Sequence, residues 1–442
     1  MRFLAKHAAA LLLISVCAAP HRAAGQTPKN RPKAPVRKAE QPVDPQEALL
    51  CQAEGAIDKK DFTAAVPLLL TYLARRPDDA TAHFQLGYAY SGLQRWEDAR
   101  SEYSRAIALD AKLVAAQLNL GLVLLDREPA AAVEPLRRAA ELLPDQAHPR
   151  FLLGLALERT GDLKGAIEQY QAAENLSAKD YEIVFALGRA LLRSLRPGEA
   201  EVRFREALAM RGDSAPARLG LAHSLLALKN LEGAAEELKV YLAQQPQERD
   251  ARLQRAAILS ELQRYDQALE ELNQADASAP PSVESYKLRA NVYLLQKQLS
   301  PAAEALQKAL AFAPQDASLH AWMGRVWLEK RDFAAAEREL RQALQLDSSL
   351  TDALRDLVSV CYLAEKYQAA LDLLDVLARR ETPHAFSWFV RATCYDKLQR
   401  KAEALAAYEK FLALDQGQNE SHALQARQRI RLLTRELQQQ KR

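Results

Sequence analysis

The sequence predicts an all-α chain: an α-solenoid superhelix of antiparallel helix pairs with a C-terminal capping helix. Three observations carry this reading. A small residue returns every 34 positions at Ala53, Gly87, Gly121, Gly154, Gly188, Ala222, Ala256, Ala290, Gly324 and Ala392, with Val358 as an exception and one step of 33 from Gly121 to Gly154. Twelve positions further on stands a second small residue: Ala65, Ala99, Ala166, Ala200, Ala234, Ala268, Ala302, Ala336, Ala370 and Ala404, arriving one residue early at Ala132. Within a copy the apolar residues step by threes and fours, as in Phe151, Leu153, Leu157 and then Leu163, Ala166, Ile167, Tyr170, Ala173, which is the spacing of one helix face. A fixed period of this length marks stacked repeats, because one helix pair cannot bury its own apolar face.

Residues 1–25 read as a signal peptide. Arg2 and Lys6 precede the apolar run Ala8 to Ala19, and Ala23-Ala24-Gly25 offers a cleavage site. The run is shorter than the roughly 20 residues that a membrane span needs. Cys17 follows Val16, a residue larger than lipoprotein signals carry before their cysteine, so a lipid anchor is not expected. The mature chain is then an exported, soluble protein of the periplasm or the cell exterior, with no integral span. Residues 26–45 form a linker rich in proline and base (Pro28, Lys29, Arg31, Pro32, Lys33, Pro35, Arg37, Lys38), too poor in apolar groups to fold. It serves as a spacer or holds the repeats near an anionic envelope surface.

Residues 46–418 hold eleven copies: 46–79, 80–113, 114–146, 147–180, 181–214, 215–248, 249–282, 283–316, 317–350, 351–384 and 385–418. In copy four, Thr160-Gly161-Asp162 separates two helical runs, and glycine accepts the positive φ that ends a helix. The second helix often stops before a proline: Pro77, Pro144, Pro246, Pro280, Pro314. The small residues let the two helices of a pair cross closely, and an aromatic (Phe62, Trp96, Tyr265, Phe333, Tyr367) fills the space beside them. Residues 419–442 leave the repeat. His422, Leu424, Arg427, Ile430, Leu433 and Leu437 predict an amphipathic cap over the last copy, followed by a basic tail.

Leu86-Gly87, Tyr90, Trp96, Ala99, Tyr103 and Ala106, repeated in copy four as Leu153-Gly154, Gly161, Ala166, Tyr170 and Ala173, resemble the tetratricopeptide repeat family from about Gln46 to Gln418. The departures are local: a deletion in the turn of copy three near Glu128-Pro129, Val358 in a small-residue place, and Lys401 in an aromatic one. The resemblance implies that the first helix of each pair lines a concave groove through its positions two, five, nine and twelve. Those positions supply Phe84, Tyr88, Leu118, Leu122, Phe151, Leu155, Phe185 and Arg189 in the first copies, an apolar stripe. Later copies supply Lys287, Asn291, Arg325 and Arg355. From sequence, the stripe reads equally well as a groove for a protein segment or as packing between neighbouring repeats. Lys287 and Asn291 resemble the start of the carboxylate clamp found in chaperone-binding members. Trp322, Asp352 and Asp356 stand where the rest of that clamp needs an amide and two bases, so no such binding is expected.

The chain carries 60 basic and 57 acidic residues. Without Arg2, Lys6 and Arg22 the two signs balance, which is not the footprint of a nucleic-acid binder. Cys51, Cys361 and Cys394 have no metal-ligand spacing. No HExxH, GxSxG, Walker or dinucleotide-binding motif occurs, and His83, His148, His223 and His320 stand singly. The expectation is therefore not an enzyme, without cofactor, metal or catalytic residue. It is an exported scaffold whose groove holds protein or peptide segments in a cell-envelope assembly of the secretion, pilus or polysaccharide-export type. The alternative is a periplasmic carrier or guide that binds polysaccharide or peptidoglycan, which aromatic rings facing the groove in register with acids nearby would favour; Phe84, Tyr88, Phe151 and Phe185 are only partly in register, and no tryptophan joins them in the first half.

Overall fold

The computed structural model describes residues 44–415, 417 and 420–440. The expected signal, Cys17 and all of the linker before Asp44 lie outside the described residues. Every described element is a helix, 23 in all. They are α1 Pro45–Asp58, α2 Phe62–Leu73, α3 Ala80–Gly92, α4 Trp96–Leu109, α5 Val114–Leu125, α6 Pro129–Leu142, α7 Ala147–Thr160, α8 Leu163–Leu176, α9 Tyr181–Arg193, α10 Pro197–Met210, α11 Ala215–Ala227 and α12 Leu231–Gln244. Then come α13 Arg249–Glu261, α14 Tyr265–Ser278, α15 Val283–Leu295, α16 Leu299–Phe312, α17 Ala317–Glu329, α18 Phe333–Leu346, α19 Thr351–Leu363, α20 Tyr367–Ala378, α21 Ala385–Lys397, α22 Lys401–Leu414 and α23 Glu420–Gln440. The chain divides into two compact units at Gly233–Ala234, inside α12. In each unit, consecutive helices pack as pairs and each pair packs on the next.

Several helix starts are fixed by an acceptor on the side chain before them. Asp61, Asp79, Asp162, Asp180, Asp316 and Asp332 each accept a first-turn backbone N–H, satisfying a donor the helix leaves unpaired. Ser282 does the same in a reciprocal capping box with Ser285. The prolines named above stand two to four residues beyond the end of their helix, where they cannot oppose it.

The turn inside each pair follows one geometry. Lys60 has φ 59°, its N–H reaches Ile57 O at 2.8 Å, and the Asp61 N–H reaches Ala56 O at 2.8 Å. These are the two bonds of the Schellman motif, which needs a left-handed residue between them. The same left-handed place is held by Gln94, Leu195, Lys229, Gln263, Lys297, Arg331, Glu365 and Gln399, with Gly161 in copy four. Nine of the ten therefore lack the glycine that this conformation favours. Copy three explains the step of 33. Its missing residue is the left-handed one, and the turn closes with the Glu128 N–H on Leu124 O at 2.7 Å. Arg159 of the next copy donates to Leu125 O at 2.6 Å and pairs with Asp126, so the carbonyl freed by the shorter turn is still bonded.

The close crossing expected at the small residues is present. A Cβ on Gly154 would stand 2.5 Å from the Tyr170 ring, one on Gly121 2.4 Å from Leu136, and one on Gly324 2.5 Å from Leu340. Val358 is nonetheless buried, in one cluster with Cys361, Leu374 and Cys394. Both of these cysteines are free and buried and act as small packing residues. At the C-terminal end, α23 buries Ala423, Ala426 and Leu433 against Phe389, Tyr408 and Phe411 of copy eleven. Leu424, expected on the covering face, is 57% exposed; Ala423 and Ala426 take its place in the first turns, while Ile430 and Leu433 pack as expected.

Candidate ligand-binding face

The first helices of neighbouring pairs stand side by side within each unit, and the residues expected to line a groove lie on them. Their burial separates two groups. Phe84, Tyr88, Leu118, Phe151 and Leu155 are all buried, as the packing alternative for the stripe expects. The reason lies nineteen residues ahead. Phe84 packs on Tyr103 at 5.9 Å between ring centroids, Phe151 on Tyr170 at 5.9 Å, and Phe185 on Phe204 at 5.9 Å. The ring at position five thus joins the core of its own pair. Tyr88 meets Phe62 edge-on at 5.8 Å, and burial pushes its phenol above the ordinary range. Only Leu122 and Phe185 of the apolar stripe remain half-buried, and Phe185 lies beside Arg189, whose guanidinium carbon is 5.9 Å from its ring centre.

Arg189 is tied into a network with little signature in the local sequence. Glu158, at position twelve of copy four, is only 4% exposed. Its carboxylate accepts from Tyr170 Oη at 2.9 Å, from Arg189 Nε and Nη2 at 3.0 and 2.7 Å, and from Arg193 Nη1 at 2.8 Å. Burial alone would raise this carboxyl; the Arg189 guanidinium, with Tyr170 and Arg193, outweighs it and holds the group below the usual carboxylate range. The arrangement recurs at the end of the chain. Asp396, again at position twelve, is bound by Arg429 of α23 at 2.7 and 2.6 Å, with Tyr408 Oη at 3.5 Å. In both places an acid on the first helix of a pair meets the tyrosine twelve residues on and an arginine from the helix after the pair.

A second polar device sits at position four. His83 contacts Glu102 Oε2 at 2.6 Å through Nδ1 and Pro77 O at 2.9 Å through Nε2. His320 repeats this with Glu339 at 2.8 Å and Pro314 O at 3.1 Å. Arg252 substitutes for histidine, donating to Glu271 at 3.0 Å and to Pro246 O at 3.1 Å. The spacing was readable: an acid nineteen residues after position four, and a proline six residues before it.

In the second unit, Lys287 lies 3.8 Å from Asp316, and Asn291 is half-buried. Neither joins the two arginines. Arg325 and Arg355 line one open cleft of 520 Å³ between α17 and the start of α19, with Trp322, Asp352 and Asp356. Arg325 Nε donates to Asp356 Oδ2 at 2.9 Å. Arg355 Nε donates to Glu381 Oε1 at 3.1 Å, and its terminal nitrogens pair with Asp352 and Glu381. Burial pushes the Asp356 carboxyl up, against the pull of Arg325. The two acids that stood in the way of a carboxylate clamp are thus the partners of the two arginines. No helix among the described residues is long and apolar enough to cross a membrane.

Sequence profiles described as tetratricopeptide repeat match residues 52–113, 84–147, 118–181, 253–317 and 323–386 with one profile, 191–258 with a second and 387–418 with a third. No curated protein sequence matches the chain. Among solved structures the chain is similar to YrrB, described as a TPR protein with an unusual peptide-binding site: 22% identity, 41% of this chain and 95% of that one, TM-score 0.39. It is also similar to PilF of Pseudomonas aeruginosa, with 21% identity over 49% of this chain and 94% of that one, TM-score 0.38. Yeast Tom70 matches with 13% identity over 89% and 96% of the two chains, TM-score 0.36.

Proposed function

The chain belongs to the tetratricopeptide repeat family, and from that premise we propose that it is a non-catalytic scaffold holding protein segments against the first helices of its repeats. One observation carries this reading. Half-buried Leu122 and Phe185 stand on the same face as Arg189 and Arg193, whose guanidiniums outnumber the one carboxylate, Glu158, that they share. An apolar step beside surplus positive charge suits a segment with an apolar anchor and a neighbouring acid. The site is rigid, since Arg189 is held by two bonds and its guanidinium carbon lies 5.9 Å from the Phe185 ring centre, and preorganisation lowers the entropy lost on binding. The place of work is a cell-envelope assembly, supported by the exported character of Met1–Gly25 and the basic linker.

The test is site-specific photo-crosslinking in the native host. A photoreactive residue replaces Leu122, Phe185 or Arg193 on this face, or Arg137 on α6 as a control. Envelope proteins cross-linked from the first three positions and not from Arg137 support the reading. Equal products from all four positions, or none from the face, remove it. A fusion of Met1–Gly25 to alkaline phosphatase tests export separately: phosphatase activity is expected, and its absence moves the scaffold to the cytoplasm.

A further inference from the structure

The cleft between α17 and α19 has a chemistry unlike the Arg189 face. Trp322 forms its apolar wall, half-buried, with its other side packed on the core of copies eight and nine. The remaining apolar lining is Ala321, Leu350 and Ala353. The cleft therefore offers one flat ring and little depth for an apolar peptide anchor, which grooves for helices and extended segments supply. Its 520 Å³ falls within the roughly 300–1,000 Å³ usual for small-ligand sites.

The polar lining is balanced in charge. Within the lining Asp356 pairs with Arg325 and Asp352 with Arg355, two acids against two bases; Glu381, outside the lining, gives Arg355 a second carboxylate. An anionic ligand on either guanidinium meets the carboxylate already seated there, and a cationic one on either carboxylate meets the guanidinium beside it, so each faces like charge. A neutral ligand meets neither repulsion. Each guanidinium carries five N–H donors and each carboxylate about four lone-pair sites, so Arg325, with one donor used on Asp356, keeps N–H groups to spare. Asp352 keeps open lone pairs, with its side chain 76% exposed. Ser318 and Thr351 add hydroxyls that both donate and accept. Spare donors and acceptors thus share one cleft with an indole, without net demand for charge.

A pyranose ring meets those requirements. Its C–H face is apolar and flat enough to lie on indole, and its rim of hydroxyls donates and accepts at adjacent positions. We propose that the Trp322 cleft binds a neutral sugar residue of a glycan chain. This site is separate from the Arg189 face and does not rest on the scaffold reading.

The experiment is a glycan array probed with the full mature chain. Binding to one or more neutral glycans is expected, followed by titration calorimetry with the best of them. Trp322→Ala is expected to weaken binding about tenfold or more, as for an aromatic at the centre of a site. Because Trp322 also packs on the core, two further variants guard against misfolding. Asp352→Ala, on an exposed side chain, is expected to weaken binding with an unchanged circular dichroism spectrum, and Trp322→Phe to retain part of it. An array on which only charged glycans bind, or none, overturns the proposal. So does neutral-glycan binding that is indifferent to both Trp322→Ala and Asp352→Ala. Peptides selected on the wild type and lost with Trp322→Ala, without any neutral glycan retained, would assign the cleft to protein instead.

Discussion

Tyr170 donates its phenolic O–H to the buried carboxylate of Glu158 at 2.9 Å, joining the two helices of copy four at their crossing. Gly154 lies beneath the same ring, close enough that a Cβ there would stand 2.5 Å from it. The ring is thus held at its tip and pressed at its edge.

Tyr170→Phe removes a buried bond to a charged acceptor, worth about 2 kcal/mol. Urea unfolding followed by circular dichroism is expected to show a lower midpoint for the first unit. An unchanged midpoint would mean that Arg189 and Arg193 alone satisfy Glu158.

Glu158 also gives the fold an acid limit. Its carboxyl sits below the ordinary value of 4.5 in the folded state. The stabilisation it confers is therefore complete above pH 4.5 and lost as pH falls through the lower folded value. The difference in melting temperature between wild type and Glu158→Gln is expected to be constant near neutrality and to shrink below pH 4.5. A difference that grows on acidification contradicts this.

Gly154→Ala is expected to cost about 1–3 kcal/mol, since overpacking forces a displacement and the Tyr170 ring cannot swing away without leaving Glu158. Thermal melts decide it. Gly198, with open space around it, is the control, and Gly198→Ala should be neutral or slightly stabilising on α10.

His83→Ala leaves Glu102 and Pro77 O without their shared partner, at a cost of about 1–3 kcal/mol. His83→Arg is expected to restore most of it, because Arg252 makes the equivalent two contacts in copy seven. A chemical denaturation series over both variants measures the rescue.

Thiol chemistry separates the cysteines. Cys51 is exposed, while burial raises the Cys361 thiol and pushes that of Cys394 up to about 12. Alkylation of the native protein at pH 8, read by peptide mass spectrometry, is expected at Cys51 and at neither buried thiol until denaturant is added. Modification of Cys394 in the native state would show that the cluster around it opens.

The periodicity of Gly87, Gly121, Gly154 and their successors made the helix pairs legible, because a crossing that favours a small side chain leaves a fixed mark at each turn of the period. The ligand-facing surface was less legible. Phe84, Phe151 and Phe185 occupy the same position in their copies, and each meets a ring nineteen residues ahead. Whether part of the ring still reaches solvent depends on the neighbouring copies, which local spacing does not encode. The Glu158 network escaped for a related reason: Arg189 and Arg193 are 31 and 35 residues away, so the pairing crosses from one copy to the next. Arg325 and Arg355 were picked out singly, and only the fold joins them through Asp356 and Asp352 into one cleft with Trp322.

The left-handed turn residues have a consequence for how each unit comes apart. A side chain such as Leu195, 88% exposed at φ 59°, adds about 1 kcal/mol of backbone strain that glycine would relieve. That strain belongs to a single copy and leaves the contacts between copies untouched. In a linear array, cooperativity is set by the ratio of interface strength to the intrinsic stability of each copy. Non-glycine turns weaken the intrinsic part alone, so copies depend more on their neighbours and melt together. Glycine at each of these places, beginning with Leu195→Gly, would raise stability while broadening the transition, as copies gained the capacity to unzip singly.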